Sequence, residues 1–285
     1  AGEDEMLCEV VIAADGVNSL LAQRAGIRIE LLPKHVATGA KEVIELPKQV
    51  IEDRFNLTED TGAAQLFVGE CTRGLQGGGF LYTNKNSISL GLVITAEEFA
   101  HSQYSIVDLM EEFKMHPAIR PLIEGGKVVE YSGHLVPEGG LGMMPPLVHD
   151  GLLIVGDAAG LVLNTGYMVR GMDLAIASGE AAAKAVIAAK EAEDYSKQGL
   201  SLYQKELDNS FVMQDLKTYS KAPAFMENKR IFGLYPSLVE DMMVNLFKVD
   251  GVPAKPLLKE AVGTIKHYGG LMQLARDAWK GVSSL

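Results

Sequence analysis

Cysteine is scarce: the 285 residues hold only Cys8 and Cys71. Two isolated cysteines make neither a disulfide framework nor a paired-cysteine metal site. They also fall short of the roughly four thiolates that an iron–sulfur cluster takes. The chain therefore reads as a protein of a reducing compartment, and the opening Ala-Gly-Glu-Asp-Glu reads as free of a signal peptide. Cys8, inside an apolar pattern, reads as a small core residue. Long apolar runs are also lacking. None approaches the ~18 residues of a membrane-spanning helix, and the longest, Met172 to Ala189, is interrupted by Asp173, Glu180 and Lys184. The six histidines, at 35, 101, 116, 134, 149 and 267, show no paired ligand spacing and read as surface or core residues. Basic residues are outnumbered, 26 against 37 acidic, for a net charge of −11. No Lys/Arg stripe offsets this, which excludes a nucleic-acid role. The acidic balance permits docking to a basic partner, although such surfaces more often serve solubility.

What is present is an ordinary globular composition, 47% hydrophobic and 22% charged, in a length suited to one large or two modest domains. Residues 6–14, Met-Leu-Cys-Glu-Val-Val-Ile-Ala-Ala, predict a strand buried on both faces, as in a parallel sheet. Asp15-Gly16 ends it, and Asn18 or Ser19 caps a short helix through Gln23. Residues 27–95 read as mostly β, with strands at 35–46, 63–71, 78–83 and 87–95, a short helix at 47–55 and a hairpin turn at Asn84-Lys85-Asn86. Helical spacing at 105–115 puts Ile106, Leu109, Met110 and Phe113 on one face, with Met110 and Met115 near the apolar side. This helix reads as packed on its own sheet. A second helix at 118–124 ends at Gly125-Gly126, and 127–136 returns to strand. A second buried strand, 151–155, leads into a glycine-dense loop from Gly156 to Gly171 and an Ala-rich helix over 172–190. The remainder, 191–285, reads as helical, broken at Pro223, Pro236, Pro253 and Pro256.

The sharpest chemical signal is Gly156-Asp157-Ala158-Ala159-Gly160, straight after a buried strand. Small residues there admit a ligand close to the backbone. Asp157, at the carboxyl end of the strand, is placed to accept hydrogen bonds from sugar or ribityl hydroxyls, because open α/β sheets bind ligands at that edge. Arg170-Gly171-Met172 then opens a long helix whose N-terminus offers N–H groups and partial positive charge to an anion. Val11-Ile-Ala-Ala-Asp-Gly-Val-Asn-Ser19 is a weaker signal by itself, since Asp-Gly after a strand is usually a turn. Ser19 lacks a nucleophile elbow, and Gly139-Gly140 with Gly142 lacks the strand-to-helix setting of a dinucleotide turn. Met143-Met144-Pro145-Pro146 reads equally as a plain loop or as a border of the ligand.

Together these segments resemble a known family. Ala14-Asp15-Gly16 with Ser19 resembles the second FAD fingerprint of the flavin hydroxylase superfamily, and Gly156–Gly160 resembles its third. Three stretches between them are similar to the electron-transfer-flavoprotein:quinone oxidoreductase family, more closely its FixC-like members. They are Gly77-Gly-Gly-Phe-Leu-Tyr82, His116-Pro-Ala-Ile-Arg-Pro-Leu-Ile-Glu-Gly-Gly126 and Pro137-Glu-Gly-Gly-Leu-Gly-Met-Met-Pro145.

The resemblance implies an α/β fold: a partial Rossmann-like FAD-binding domain with an inserted α+β domain and a helical C-terminal region. The expected segments are 1–26 and 151–190 for the FAD domain, 27–150 for the α+β domain and 191–285 for the helices. It implies FAD held by Asp15, Gly16, Ser19, Gly156, Asp157, Ala158, Ala159, Gly160, Gly166, Gly171 and Met172. No catalytic acid or base and no metal ligand is expected. The implied function is passage of electrons from an electron-transfer flavoprotein to a small ferredoxin or a quinone, in the cytoplasm or peripherally on the inner face of the membrane. A geranylgeranyl-reductase-like or hydroxylase-like flavoenzyme and a non-enzymatic interaction subunit are the alternatives.

Two departures qualify the resemblance. The opening strand and Gly-x-Gly-x-x-Gly turn that bind the pyrophosphate have no counterpart here, so a truncated or proteolysed piece, inactive alone and weak in FAD binding, is expected. The unpaired strand edges of such a piece favour self-association into a homo-oligomer. The cysteine-ligated cluster of quinone-reducing members also has no counterpart, which favours the FixC-like branch with a separate ferredoxin.

Overall fold

The computed structural model describes residues 5–27, 31–253 and 255–285, so residues 1–4 of the opening segment and 28–30 of the expected β-rich stretch lie outside it. In chain order come β1 (Val11–Ala13), α1 (Leu20–Arg24), β2 (Val36–Glu45), α2 (Lys48–Phe55), β3 (Ala64–Phe67), β4 (Gly77–Thr83), β5 (Ser87–Thr95), α3 (Ala96–Ala100), α4 (Ile106–Met115), α5 (Arg120–Ile123) and β6 (Lys127–Pro137). Then follow β7 (Val148–His149), β8 (Leu152–Ile154), β9 (Leu163–Asn164), β10 (Val169–Arg170), α6 (Met172–Glu191), α7 (Leu202–Asn209), α8 (Phe211–Thr218), α9 (Ala222–Met226), α10 (Leu234–Phe247), α11 (Leu257–His267) and α12 (Gly270–Ser284). Mixed sheets and helices thus give an α/β arrangement with a helical C-terminal part. Backbone contacts group residues 1–36, 135–223 and 285 into one unit and residues 37–134 and 224–284 into another. Residues 191–285, a single helical region by sequence, are divided between the two.

In the first unit, β1 runs parallel to β8 with Val11 opposite Leu152 and Ala13 opposite Ile154, and β7 pairs antiparallel on the other side of β8. α6 packs its alanine face, Ala181, Ala182, Ala185 and Ala189, into the core beneath this sheet, with Leu200, Tyr203 and Leu207 of the following turns. The expected strand at 6–14 is corrected in length and burial. Only three residues are extended, Val11 and Ile12 are 37% and 40% exposed, and Cys8 is exposed rather than in the core. Among the described residues β1 has one strand neighbour, β8, and lies at the edge of this sheet. The glycine-dense stretch 156–171 is also more regular than a long loop: a 3-10 turn at Gly156–Ala159 is followed by the β9–β10 hairpin.

In the second unit, five strands lie in the order β3-β4-β5-β2-β6, with β5 antiparallel to both β4 and β2. The alternation along β5, Ile88, Leu90, Leu92 and Ile94, buries one face completely. The face of α4 bearing Leu109, Met110 and Phe113 covers it. Gly79 makes room for this, because a Cβ there would lie 2.7 Å from Phe113 Cζ. Phe113 also meets Phe67 edge-on at 5.2 Å, while Met115 stays 62% exposed. Strand β3 is shorter than the expected 63–71, because Gly69 at φ 114° turns the chain into a 3-10 turn. Pro236, expected to break a helix, lies in the first turn of α10, where its missing N–H has no intrahelical partner to lose.

Candidate functional site: the carboxyl edge of the parallel strand pair

The parallel register of β1 and β8 brings the ends of both strands to one edge, fastened by the Val155 N–H donating to the Ala13 carbonyl at 3.0 Å. Asp15-Gly16 to Ser19 leave from one strand and Gly156 to Gly160 from its neighbour. The two sequence signals, 141 positions apart at Asp15 and Gly156, are thereby set side by side.

Asp15 is exposed, and its Oδ2 accepts the Leu21 N–H at 2.9 Å. It therefore does the capping expected of Asn18 or Ser19. Ser19 stands at the N-cap position, but its backbone is left-handed (φ 46°, ψ 49°), and a side chain caps from extended backbone. Gly16 supports the turn at φ 75° by accepting the Ser19 N–H at 3.0 Å. Ser19 is fully buried, and its Oγ is the one buried side-chain polar atom among the described residues that has no hydrogen-bond partner. Such a group is destabilising unless something absent from the chain satisfies it.

On the second strand, Gly156 (φ 57°) is buried and donates its N–H to Ser178 Oγ at 3.0 Å, which in turn donates to the Ala175 carbonyl at 2.8 Å. A Cβ on Gly156 would sit 3.2 Å from Ala175 Cβ, so glycine lets the turn lie on α6. Ala158 and Ala159 are fully buried against the same core. Gly160 closes the turn at φ 72°, and a Cβ there would lie 2.7 Å from Met143 Cγ. Met143 thus packs behind the turn. Tyr203 donates to the Ile154 carbonyl at 2.8 Å and fixes the end of β8 from α7. Burial pushes its phenol pKa well above the usual range.

Asp157 is half-buried beside the start of α6: a Cβ on Gly171 would lie 3.8 Å from its Oδ1. Asp157 and Gly171 are therefore brought together. Met172 is 85% exposed, and Gly166 (φ 85°) serves the tip of the β9–β10 hairpin, its N–H donating to Asn164 Oδ1. The helix N-terminus is partly occupied by the chain itself. Asp173 stands in the first turn of α6, and Arg170 spans Asp173 (Nε–Oδ2 2.8 Å) and Asp215 (Nη1–Oδ2 2.6 Å) across the Phe211 ring. Partial burial opposes ionisation of Asp173, but Arg170 outweighs it and holds the carboxyl below its usual range. The anion expected at this helix end thus meets an internal carboxylate. What remains suits hydroxyls and close backbone approach better than a second negative charge.

Sequence reasoning missed Ser178, Tyr203 and the Asp173–Arg170–Asp215 clamp. Their partners lie 22, 49 and 45 residues away at the furthest, and no local spacing signals them.

Comparison with known proteins places this geometry in a family. Residues 37–136 match the family model described as ETF-QO, ubiquinone-binding, and residues 222–285 match the ETF-QO/FixC family C-terminal domain. The whole chain is 54% identical to the probable electron transfer flavoprotein-quinone oxidoreductase YdiS of Escherichia coli K12 and 50% identical to protein FixC of Salmonella typhi. It spans 66% of the length of each. A geranylgeranyl bacteriochlorophyll reductase-like protein from Thermoplasma acidophilum shares the fold, with a TM-score of 0.60 at 19% identity over 94% of this chain and 62% of that one. The chain belongs to the electron-transfer-flavoprotein:quinone oxidoreductase/FixC family.

Proposed function

We propose that this chain forms part of an FAD-dependent oxidoreductase that takes electrons from an electron-transfer flavoprotein and delivers them to a quinone or a small ferredoxin. The observation that carries the reading is the meeting of the Asp15–Ser19 and Gly156–Gly160 segments at one sheet edge, with an unsatisfied buried hydroxyl at Ser19. FAD, when bound, supplies the redox chemistry, and the protein supplies binding and orientation. Asp157 accepts hydrogen bonds from the ribityl hydroxyls, and Ser19 finds there the partner it lacks within the chain. Gly156 and Gly160 let the turn lie against α6 and Met143, and Gly171 leaves space beside Asp157. Asp15 and Gly16 shape the adjoining turn, and Ala158, Ala159 and Met143 form its apolar backing. Gly166 and Met172 belong to the exposed rim and contribute backbone only. The match of residues 37–136 to a ubiquinone-binding model supports a quinone as acceptor, and a ferredoxin is the second acceptor of this reading.

The test is flavin binding by Asp157→Ala. A lost charge-assisted hydrogen bond weakens binding by about 1.5–3 kcal/mol, which lowers FAD affinity about ten- to hundredfold in a titration followed by visible absorbance. Unchanged affinity removes Asp157 from the site.

A further inference from the structure

We propose that Asp173, in the first turn of α6, lowers the reduction potential of the flavin by setting a carboxylate against the positive end of that helix. The inference rests on the reading of the strand edge as an FAD site and adds a tuning residue to it. Asp173 acts through its charge and is a positioning residue.

The first turn of a helix offers N–H groups without intrahelical partners and a partial positive charge. The first backbone bond of α6 runs from the Ala175 N–H to the Gly171 carbonyl at 2.8 Å, so the N–H groups of Met172, Asp173 and Leu174 stand ahead of it. This end lies against the candidate site. A Cβ on Gly171 would be 3.8 Å from Asp157 Oδ1, and one on Gly156 would be 3.2 Å from Ala175 Cβ. Two-electron reduction of FAD with uptake of one proton leaves a negative charge on its ring. A helix N-terminus that meets that charge with no carboxylate of its own favours the reduced form and raises the potential.

α6 does not present such an end. Asp173 accepts Arg170 Nε at 2.8 Å and Nη2 at 2.5 Å, and Asp215 of α8 accepts Arg170 Nη1 at 2.6 Å. One guanidinium thus faces two carboxylates, and the group keeps a net negative charge. Partial burial opposes ionisation of Asp173, but Arg170 outweighs it, so the carboxylate stays charged at neutral pH. Arg170 is anchored without Asp173, because Asp215 ties it to α8 and the Phe211 ring centre lies 5.6 Å from its Cζ. The second carboxylate is therefore surplus to the anchor, and it stands where it counters the helix charge. A negative group in the first turn stabilises the helix and opposes a further anion at the same place. Oxidised FAD, neutral at the ring, is penalised less than the reduced form.

Midpoint potentials are measured on the intact FAD-loaded oxidoreductase of which this chain forms part, by anaerobic reduction against a reference dye. Asp173→Asn keeps the size of the side chain and removes its charge. It should favour reduced over oxidised FAD about tenfold more than the wild type does, a rise of about 30 mV for a two-electron couple. Affinity for oxidised FAD, titrated separately, should change little. Asp173→Glu keeps the charge and should stay near the wild-type potential. Asp215→Asn removes the other carboxylate of the group from a different helix and should also raise the potential, which keeps the proposal testable where Asp173→Asn folds poorly. An unchanged potential in flavin-loaded Asp173→Asn, or in Asp215→Asn where the first variant does not fold, overturns the proposal. So does an equal rise in Asp173→Asn and Asp173→Glu, which assigns Asp173 to the structure of the turn. Wild-type protein that takes up no flavin overturns the FAD reading itself, so the two failures are distinguishable.

Discussion

At the scale of single residues, Ser19 is held against its own interest. A buried hydroxyl without a partner is destabilising by about 1–3 kcal/mol, and the chain retains one at the edge where two motif segments meet. Ser19→Ala should therefore leave stability unchanged or raise it by about 1 kcal/mol in denaturant unfolding without ligand. The same substitution should weaken FAD binding. A variant that is less stable and binds FAD normally would show that the hydroxyl serves the fold. Asp277 makes the opposite case, a carboxylate satisfied several times over. Arg230 holds it far below the usual carboxylate range, against the effect of burial, with help from Tyr235 and Gln273. A carboxyl whose pKa is depressed on folding adds stability above its unfolded pKa near ~4, and that stability is lost as pH falls toward the folded value. The wild-type chain should accordingly lose stability between about pH 5 and 2, and Asp277→Asn should flatten that part of the profile while lowering stability at neutral pH by about 2 kcal/mol. A steep acid limb surviving in Asp277→Asn would assign it to other carboxylates.

At the scale of elements, the turn after β8 is a packed joint rather than a free loop. Gly160 needs its positive φ and its missing Cβ at once, because Met143 lies behind it. Gly160→Val should combine left-handed backbone strain with overpacking and destabilise by about 2–4 kcal/mol, read as a lower denaturant midpoint. A normal midpoint would mean that Met143 yields at no cost. Elements with a strong local signal were legible in the sequence: β2, β4, β5, α4 and α6 fall within a residue or two of their expected ranges. The periodicity of α4 even named its buried face correctly, because Leu109, Met110 and Phe113 have a sheet to cover. Burial of the segment at 6–14 was not legible, because an apolar run reports what a strand can bury and not whether neighbours are there to bury it. The candidate site was legible as two motif segments, but the parallel register that joins them is a long-range pairing. So are the Arg170 clamp, which takes up part of the α6 N-terminus, and the Tyr203 bond that fixes β8.

At the scale of the whole molecule, the chain has a candidate site at a strand edge in one unit and, in the other, a sheet-and-helix region whose sequence matches a ubiquinone-binding model. Among the described residues no helix is long and apolar enough to cross a membrane. No group of three or more His, Cys, Asp or Glu among them suits a metal ion. An electron carrier bound at the strand edge is the reading that uses both motif segments. It is tested most directly by mixing the intact FAD-loaded oxidoreductase of which this chain forms part with a reduced electron-transfer flavoprotein without oxygen and following visible absorbance. The expected result is bleaching of the protein's flavin bands, followed by their recovery when an oxidised quinone or oxidised ferredoxin is added and takes up the electrons. Flavin bands that stay unchanged while the donor remains reduced would contradict electron transfer as the function of this chain.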